Sequence, residues 1–246
     1  MKSNEYSVMY ELEESHWWFK GKRKIIFSQV DKHLKNKNPR ILDIGCGTGI
    51  MMKNFEKYGK VFGLDIHFPA LEFCSARDLH NLVQGDIGYL PFKSGSFNVV
   101  GIYDVLYHKA VKSDVNALRE IYRILKKGGL LVITDSADMG LWSRHDIAAH
   151  ARERYTVALF SKRLKSTGYG IRKITYFNTF LYPLVYAFRK VDNLINKNKP
   201  TKSNIEKTNA IINFILYSIF VLESFLIKFL NMPFGVSIFV IAEKQR

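Results

Sequence analysis

Apolar and polar positions along the chain recur with two different periods. Residues 10–34 read as helical: Ile25, Ile26, Val30 and Leu34 follow one another at roughly 3.6-residue spacing, and Pro39 closes the segment. Short apolar runs at 40–44, 61–66, 81–84, 97–103 and 130–134 then alternate with helical patterns at 50–58, 70–79 and 114–125. Gly128-Gly129 is expected to stop the last of these helices. The run at 130–134 is almost continuously apolar, as a strand covered on both faces should be. Strand–helix alternation of this kind predicts an α/β protein with a doubly wound, mostly parallel sheet. Two later strands, 171–177 and 236–242, flank a long insertion whose second half, 210–230, is strongly apolar and helical in pattern.

The chemistry begins at Asp43-Ile44-Gly45-Cys46-Gly47-Thr48-Gly49, directly after one strand and before a helix. Glycine lets the backbone turn tightly and approach a ligand, and a helix start offers free N–H groups. A nucleotide-like cofactor is expected there. The dinucleotide fingerprint G-x-G-x-x-G would need a third glycine at position 50, which is Ile50; the third glycine is Gly49 instead. Asp65 ends the second strand about 20 residues further on, where an acid binds ribose hydroxyls, with Ile66 beside it. Asp86 and Ile87 follow the third strand, where an acid and a neighbouring amide can meet an adenine ring. Each aspartate alone reads as a turn or a cap; together they mark the edge at which open α/β sheets bind ligands.

These blocks, with Leu90-Pro91-Phe92, Ser96-Phe97-Asn98-Val99-Val100 and Arg123-Ile124-Leu125-Lys126-Lys127-Gly128-Gly129, resemble the class I S-adenosylmethionine-dependent methyltransferases. The resemblance is to the subgroup that includes the ubiquinone- and menaquinone-type enzymes, and it covers 40–134. It implies a Rossmann-like fold and S-adenosyl-L-methionine as cofactor. By the same resemblance Gly45, Gly47 and Gly49 would line the methionine and ribose end and Asp65 would hold the ribose, with Asp43 and Ile66 counted among the cofactor-binding residues. Asp86 and Ile87 would hold the adenine, and Tyr103 and Asp104 would lie near the transferred methyl group. Tyr107 stands before His108 where the family often has an acid, and Asn98 stands where Asp is usual. A narrower likeness, to a bacterial and archaeal branch of these enzymes, rests on three segments. They are His16-Trp17-Trp18-Phe19, Leu141-Trp142-Ser143-Arg144-His145-Asp146 with Arg154-Tyr155-Thr156, and Met232-Pro233-Phe234-Gly235-Val236-Ser237.

Four segments are therefore expected: an N-terminal helical lid (1–38), the cofactor-binding domain (39–178), an apolar helical insertion between the last two strands (179–232), and a final strand with the C-terminus (233–246). Candidate bases are His145, His108 and His150, with His145 beside Asp146 in the better place; a base is needed only if the acceptor must lose a proton. Trp17, Trp18 and Phe19 read equally as a lid or acceptor wall and as a helix packed on the sheet.

Composition adds one fact of weight. The formal net charge is +15, so an anionic partner is attracted. Asn213, Glu223 and Lys228 interrupt the apolar 210–230 run, and the strand after it must return to the sheet. A full span is disfavoured, and an interfacial helix or a cap over a greasy pocket fits better, with Arg189, Lys190, Lys197, Lys199, Lys202 and Lys207 favouring an anionic membrane surface. No RNA-binding module is recognised, which argues against nucleic acid. The opening residues lack an apolar signal region, and Cys46 and Cys74 have no metal-ligand spacing, so a cytoplasmic protein with reduced thiols, at most peripheral at the inner face of a membrane, is expected. The reading is methyl transfer to a small-molecule or lipid-like acceptor. An RNA methyltransferase and a non-catalytic S-adenosylmethionine-binding partner subunit stay open as alternatives.

Overall fold

The computed structural model describes residues 3–196 and 206–245. Two helices, α1 (Ser3–Leu12) and α2 (Trp17–His33), precede the sheet. The chain then alternates β1 (Arg40–Ile44), α3 (Ile50–Phe55), β2 (Lys60–Asp65), α4 (Phe68–Ser75), β3 (Leu82–Gln84), β4 (Phe97–Tyr103), α5 (Asp114–Ile124) and β5 (Leu125–Ser136). The short α6 (Arg144–Ala148), α7 (Val157–Ser166) and β6 (Tyr169–Phe177) follow. The insertion supplies α8 (Tyr182–Ile195) and α9 (Ala210–Leu226), and β7 (Ser237–Lys244) ends the sheet. Strand order is β3-β2-β1-β4-β5-β7-β6. β1 to β5 are parallel, and β7 slots antiparallel between β5 and β6.

The near-continuous apolar strands are explained by cover on both faces. Ile41, Val99 and Val132 pack with Ile25, Phe55 and Ile241 on one side; Leu42, Val100 and Ile133 pack with Ile121, Phe160 and Val240 on the other. Successive residues of each strand thus enter different cores.

Two boundaries differ from expectation. The 10–34 helix is two helices, parted at Glu13 to His16, where His16 caps α2 by accepting from the Trp18 amide at 3.3 Å. Gly128-Gly129 does not stop α5. Buried Leu125 already pairs with Phe97, and the pairing then jumps to Val99–Leu130, so the glycines lie in an irregularity within β5.

α9 packs along α2, and a Cβ on Gly21 would come within 2.5 Å of the Phe220 ring. Among the described residues no helix is long and apolar enough to cross a membrane. Lys197, Lys199 and Lys202 lie outside the described residues.

Candidate active site

β1 delivers Asp43 to the C-terminal edge of the sheet, and the chain then turns through Gly45 at φ 70° and Gly49 at φ 85°, the N-cap of α3. Both lie in the left-handed region that glycine tolerates. A side chain on Gly45 would also strike Val105 Cγ2 at 2.4 Å. The Gly45 and Cys46 amides both donate to the Leu64 carbonyl, at 2.7 and 3.1 Å, which ties the turn to β2. Gly47 donates to Asp65 Oδ2 at 3.0 Å, and Asp65 Oδ1 accepts from the His67 amide at 2.9 Å.

Beneath this turn lies a cleft of about 70 Å³, lined among others by Met9, Phe19, Lys22, Asp43, Gly45 and Tyr103. Asp43 is buried, and neither of its carboxylate oxygens has a hydrogen-bond partner among the described residues. Burial, then repulsion from Asp65, hold its carboxyl well above the usual carboxylate range, against the pull of Lys22. The Tyr103 hydroxyl is likewise buried and unpartnered among the described residues; burial and the nearby Asp43 push its phenol up. Buried polar groups are nearly always bonded, so two orphans in one cleft mark a place prepared for a polar ligand. A cationic ammonium would satisfy Asp43, and the methionine end of S-adenosylmethionine carries one. The residues present fit that cofactor.

The N-terminal helices close the cleft. Met9 Cε lies 3.8 Å from where a Gly47 side chain would begin. Thr48 Oγ1 donates to Glu13 Oε1 at 2.5 Å, and Arg77 binds Glu13 at 2.7 Å and Glu14 at 2.5 Å. Pockets for drug-sized ligands hold roughly 300–1,000 Å³, and Met9 and Glu13 of the N-terminal segment narrow this cleft below that.

Residues 42–133 match the family model described as a methyltransferase domain. This is a class I S-adenosylmethionine-dependent methyltransferase domain. The chain is 33% identical over 133 residues to the demethylmenaquinone methyltransferase of Lactiplantibacillus plantarum, an alignment covering 50% of this chain and 52% of that protein. It thus spans about half the length of the curated relatives it matches. Among solved structures, a Bacillus halodurans protein assigned to the methyltransferases superposes with TM-score 0.62 at 20% identity, covering 90% of this chain and 99% of that one. The geranyl diphosphate C-methyltransferase of Streptomyces coelicolor superposes with TM-score 0.59 at 14% identity, covering 89% and 75%. At these identities the structures share the fold.

Within the methyltransferase domain, the glycine turn, Asp43, Asp65 and Tyr103 come together at one edge. The adenine-side residues are more open: Ile66 is 44% exposed, and Asp86 is exposed, accepting from the Gly88 amide at 2.6 Å, while Ile87 is buried. Asp104 turns at φ 57° just past β4, and its carboxylate binds Lys22 Nζ at 2.6 Å and accepts from Thr134 Oγ1 at 3.3 Å.

His145, in α6, is not paired with Asp146. That carboxylate accepts from Arg154 Nε at 2.7 Å and from the Ser143 amide at 2.8 Å. His145 Nδ1 is buried without a partner among the described residues, and burial, then Arg189, push the imidazole down to about 4. Asp146 and, more weakly, Asp104 pull the other way. His108 is set apart: its Nδ1 accepts from the Ala110 amide at 3.0 Å and its ring meets His150 at 5.8 Å, with burial pushing it to about 4.

Sequence reasoning missed Met9 of α1 and Lys22 of α2 as cleft residues, while Phe19 was among the lid candidates. Lys22 read as one charge in a basic run, although Phe19 and Lys22 stand three apart and therefore share a helix face. The aromatic run divides. Trp17 and Trp18 meet Phe220 edge-on at 5.7 and 5.8 Å, and Trp18 stacks on Phe177, whereas Phe19 lines the cleft.

Proposed function

We propose that the protein transfers a methyl group from S-adenosylmethionine to a small-molecule or lipid-like acceptor, at oxygen or carbon. The bound cofactor supplies an electrophilic methyl on a sulfonium, open to in-line displacement. Asp43 receives the methionine ammonium, and the glycine turn with Asp65 receives the ribose. Asp86 and Ile87 receive the adenine at the open end. Tyr103 and Asp104 border the reacting end, where Lys22 holds the Asp104 carboxylate in place. Positioning does most of the work in a displacement of this kind.

A hydroxyl or carbon acceptor has a proton to lose, and His145 is the candidate base: neutral at pH 7, with Nδ1 uncommitted among the described residues. His108 uses its Nδ1 to hold its own loop, which makes it the weaker candidate. The relatives named for demethylmenaquinone and geranyl diphosphate support an acceptor that is neither protein nor nucleic acid. A lipid-like acceptor is met at a bilayer, and the greasy outer faces of α8 and α9 suit that setting.

The buried Asp43 carboxylate under the glycine turn, without a hydrogen-bond partner among the described residues, carries the cofactor assignment. Calorimetry with S-adenosylhomocysteine tests it. Binding is expected, weakened by about 1–3 kcal/mol in Asp65→Ala, the scale of a lost buried hydrogen bond. NADH binding with no S-adenosylhomocysteine binding would sink the assignment.

A further inference from the structure

The two helices of the insertion are amphipathic the wrong way round for a protein bathed in water on all sides. In α9 Asn213 and Glu223 are turned toward the protein. Asn213 Oδ1 accepts from the Trp17 amide at 2.7 Å, and fully buried Glu223 accepts from the Thr179 amide at 2.8 Å. The outer stripe is Ile211, Ile215, Leu222, Phe225 and, just past the helix, Phe229, each between 52% and 71% exposed. Ser218, on the same stripe, folds its hydroxyl back onto the Phe214 carbonyl at 2.9 Å.

α8 repeats the pattern. Arg189 donates to the Leu141 carbonyl at 2.8 Å and Asn193 to the Trp142 carbonyl at 2.9 Å, while Leu184, Phe188, Val191 and Ile195 are again between 52% and 71% exposed. Exposed apolar stripes of this kind mark an interface.

The charges around it select the partner. At the C-terminal end of α9, Lys32 Nζ donates to the Lys228 carbonyl at 2.8 Å and Lys173 Nζ to the Leu230 carbonyl at 2.7 Å. Lys32, Lys173 and Lys228 form no ion pair among the described residues, so three cations sit beside exposed Phe225, Phe229 and Leu230. Lys20 lies over the Tyr217 ring, and Lys207 stands exposed just before α9. Between residues 206 and 230 the acids are Glu206 and the inward Glu223. A twofold contact between copies through this face would set like charges together, whereas anionic headgroups would neutralise them.

We propose that the outer face of α8 and α9 docks on an anionic lipid bilayer, apolar side chains in the acyl boundary and Lys32, Lys173 and Lys228 on headgroup phosphates. The proposal rests on the lipid-like acceptor reading for its purpose. The inner side of α8 braces the Leu141–Trp142 segment ahead of α6, the helix that carries His145.

Flotation of the full chain with phosphatidylcholine vesicles, alone or mixed with phosphatidylglycerol, tests this. Binding is expected with the mixed vesicles, and it should fall between 0.1 M and 1 M salt as the Debye length shortens from ~10 Å to ~3 Å. Combined Lys32→Gln, Lys173→Gln and Lys228→Gln should weaken it about 100-fold, near fivefold per lysine. Phe225→Ser with Phe229→Ser should weaken it at least about tenfold. Unchanged S-adenosylhomocysteine binding in both variants shows that they are folded. A protein that stays in solution with every vesicle, or that forms a dimer lost on Phe225→Ser, overturns the proposal. Vesicle binding without S-adenosylhomocysteine binding would leave docking intact and remove the methyltransferase reading instead.

Discussion

Asp43 is a carboxyl group whose charge depends on what enters the cleft beside it. Buried and raised, it holds its proton well above the ordinary carboxylate range when only protein surrounds it. An arriving ammonium favours the ionised form, so cofactor binding should release a proton. The sign follows: affinity for S-adenosylhomocysteine should rise with pH until Asp43 is ionised without help, then level off. Calorimetry in buffers of different ionisation enthalpy measures the proton released. Asp43→Asn should abolish that release and weaken binding by about 1.5–3 kcal/mol, the worth of a charged hydrogen bond. His145 makes a separate claim. Because its partner nitrogen is free among the described residues, His145→Ala should lower kcat by about 10²–10⁴-fold with cofactor affinity unchanged; unaltered turnover would return it to a packing role. The aspartates at the strand ends were legible because they lie at fixed offsets from the glycine turn. Lys22 was not, since only the fold of α2 over the cleft turns one lysine of a basic run toward Asp104.

At the scale of elements, α9 shows how a polar residue in an apolar run can be misread. Asn213 and Glu223 looked like obstacles on a greasy helix, yet both are its fastenings. Glu223 accepts from the backbone amides of Thr179 and Asn178, satisfying the chain where β6 leads into α8. Glu223→Ala would orphan those donors at about 1–3 kcal/mol, and thermal unfolding should drop by about 2–12 °C for a chain of this size. Glu223→Gln keeps an acceptor and should recover most of the loss, whereas exposed Phe225→Ala should stay within about 0.5 kcal/mol of the parent. No change in Glu223→Ala would show that the insertion is not fastened there. The break between α1 and α2 was illegible for a related reason. Neither Gly nor Pro marks it, and what ends α1 is distant in sequence: Glu13 is held by Thr48 and Arg77.

For the whole molecule, the alternating periods predicted a doubly wound sheet because every central strand is covered on both faces. They could not give the strand order. The place of β7 between β5 and β6 depends on pairings such as Thr134–Phe239 and Thr175–Phe239, which join residues far apart in the chain. The same long-range closure sets α8 and α9 on the outside, so a helical insertion could be read from the sequence while the direction of its apolar face could not. Docking and catalysis meet in one molecule only if methyl groups are transferred. The most direct measurement is incubation of the protein with methyl-labelled S-adenosylmethionine and fractionated cell extract, followed by partition of the label. The account predicts label in the organic phase or among small metabolites, abolished by Asp43→Asn with Asp65→Ala. Label confined to RNA, or no transfer to any fraction by a protein that still binds S-adenosylhomocysteine, would contradict it.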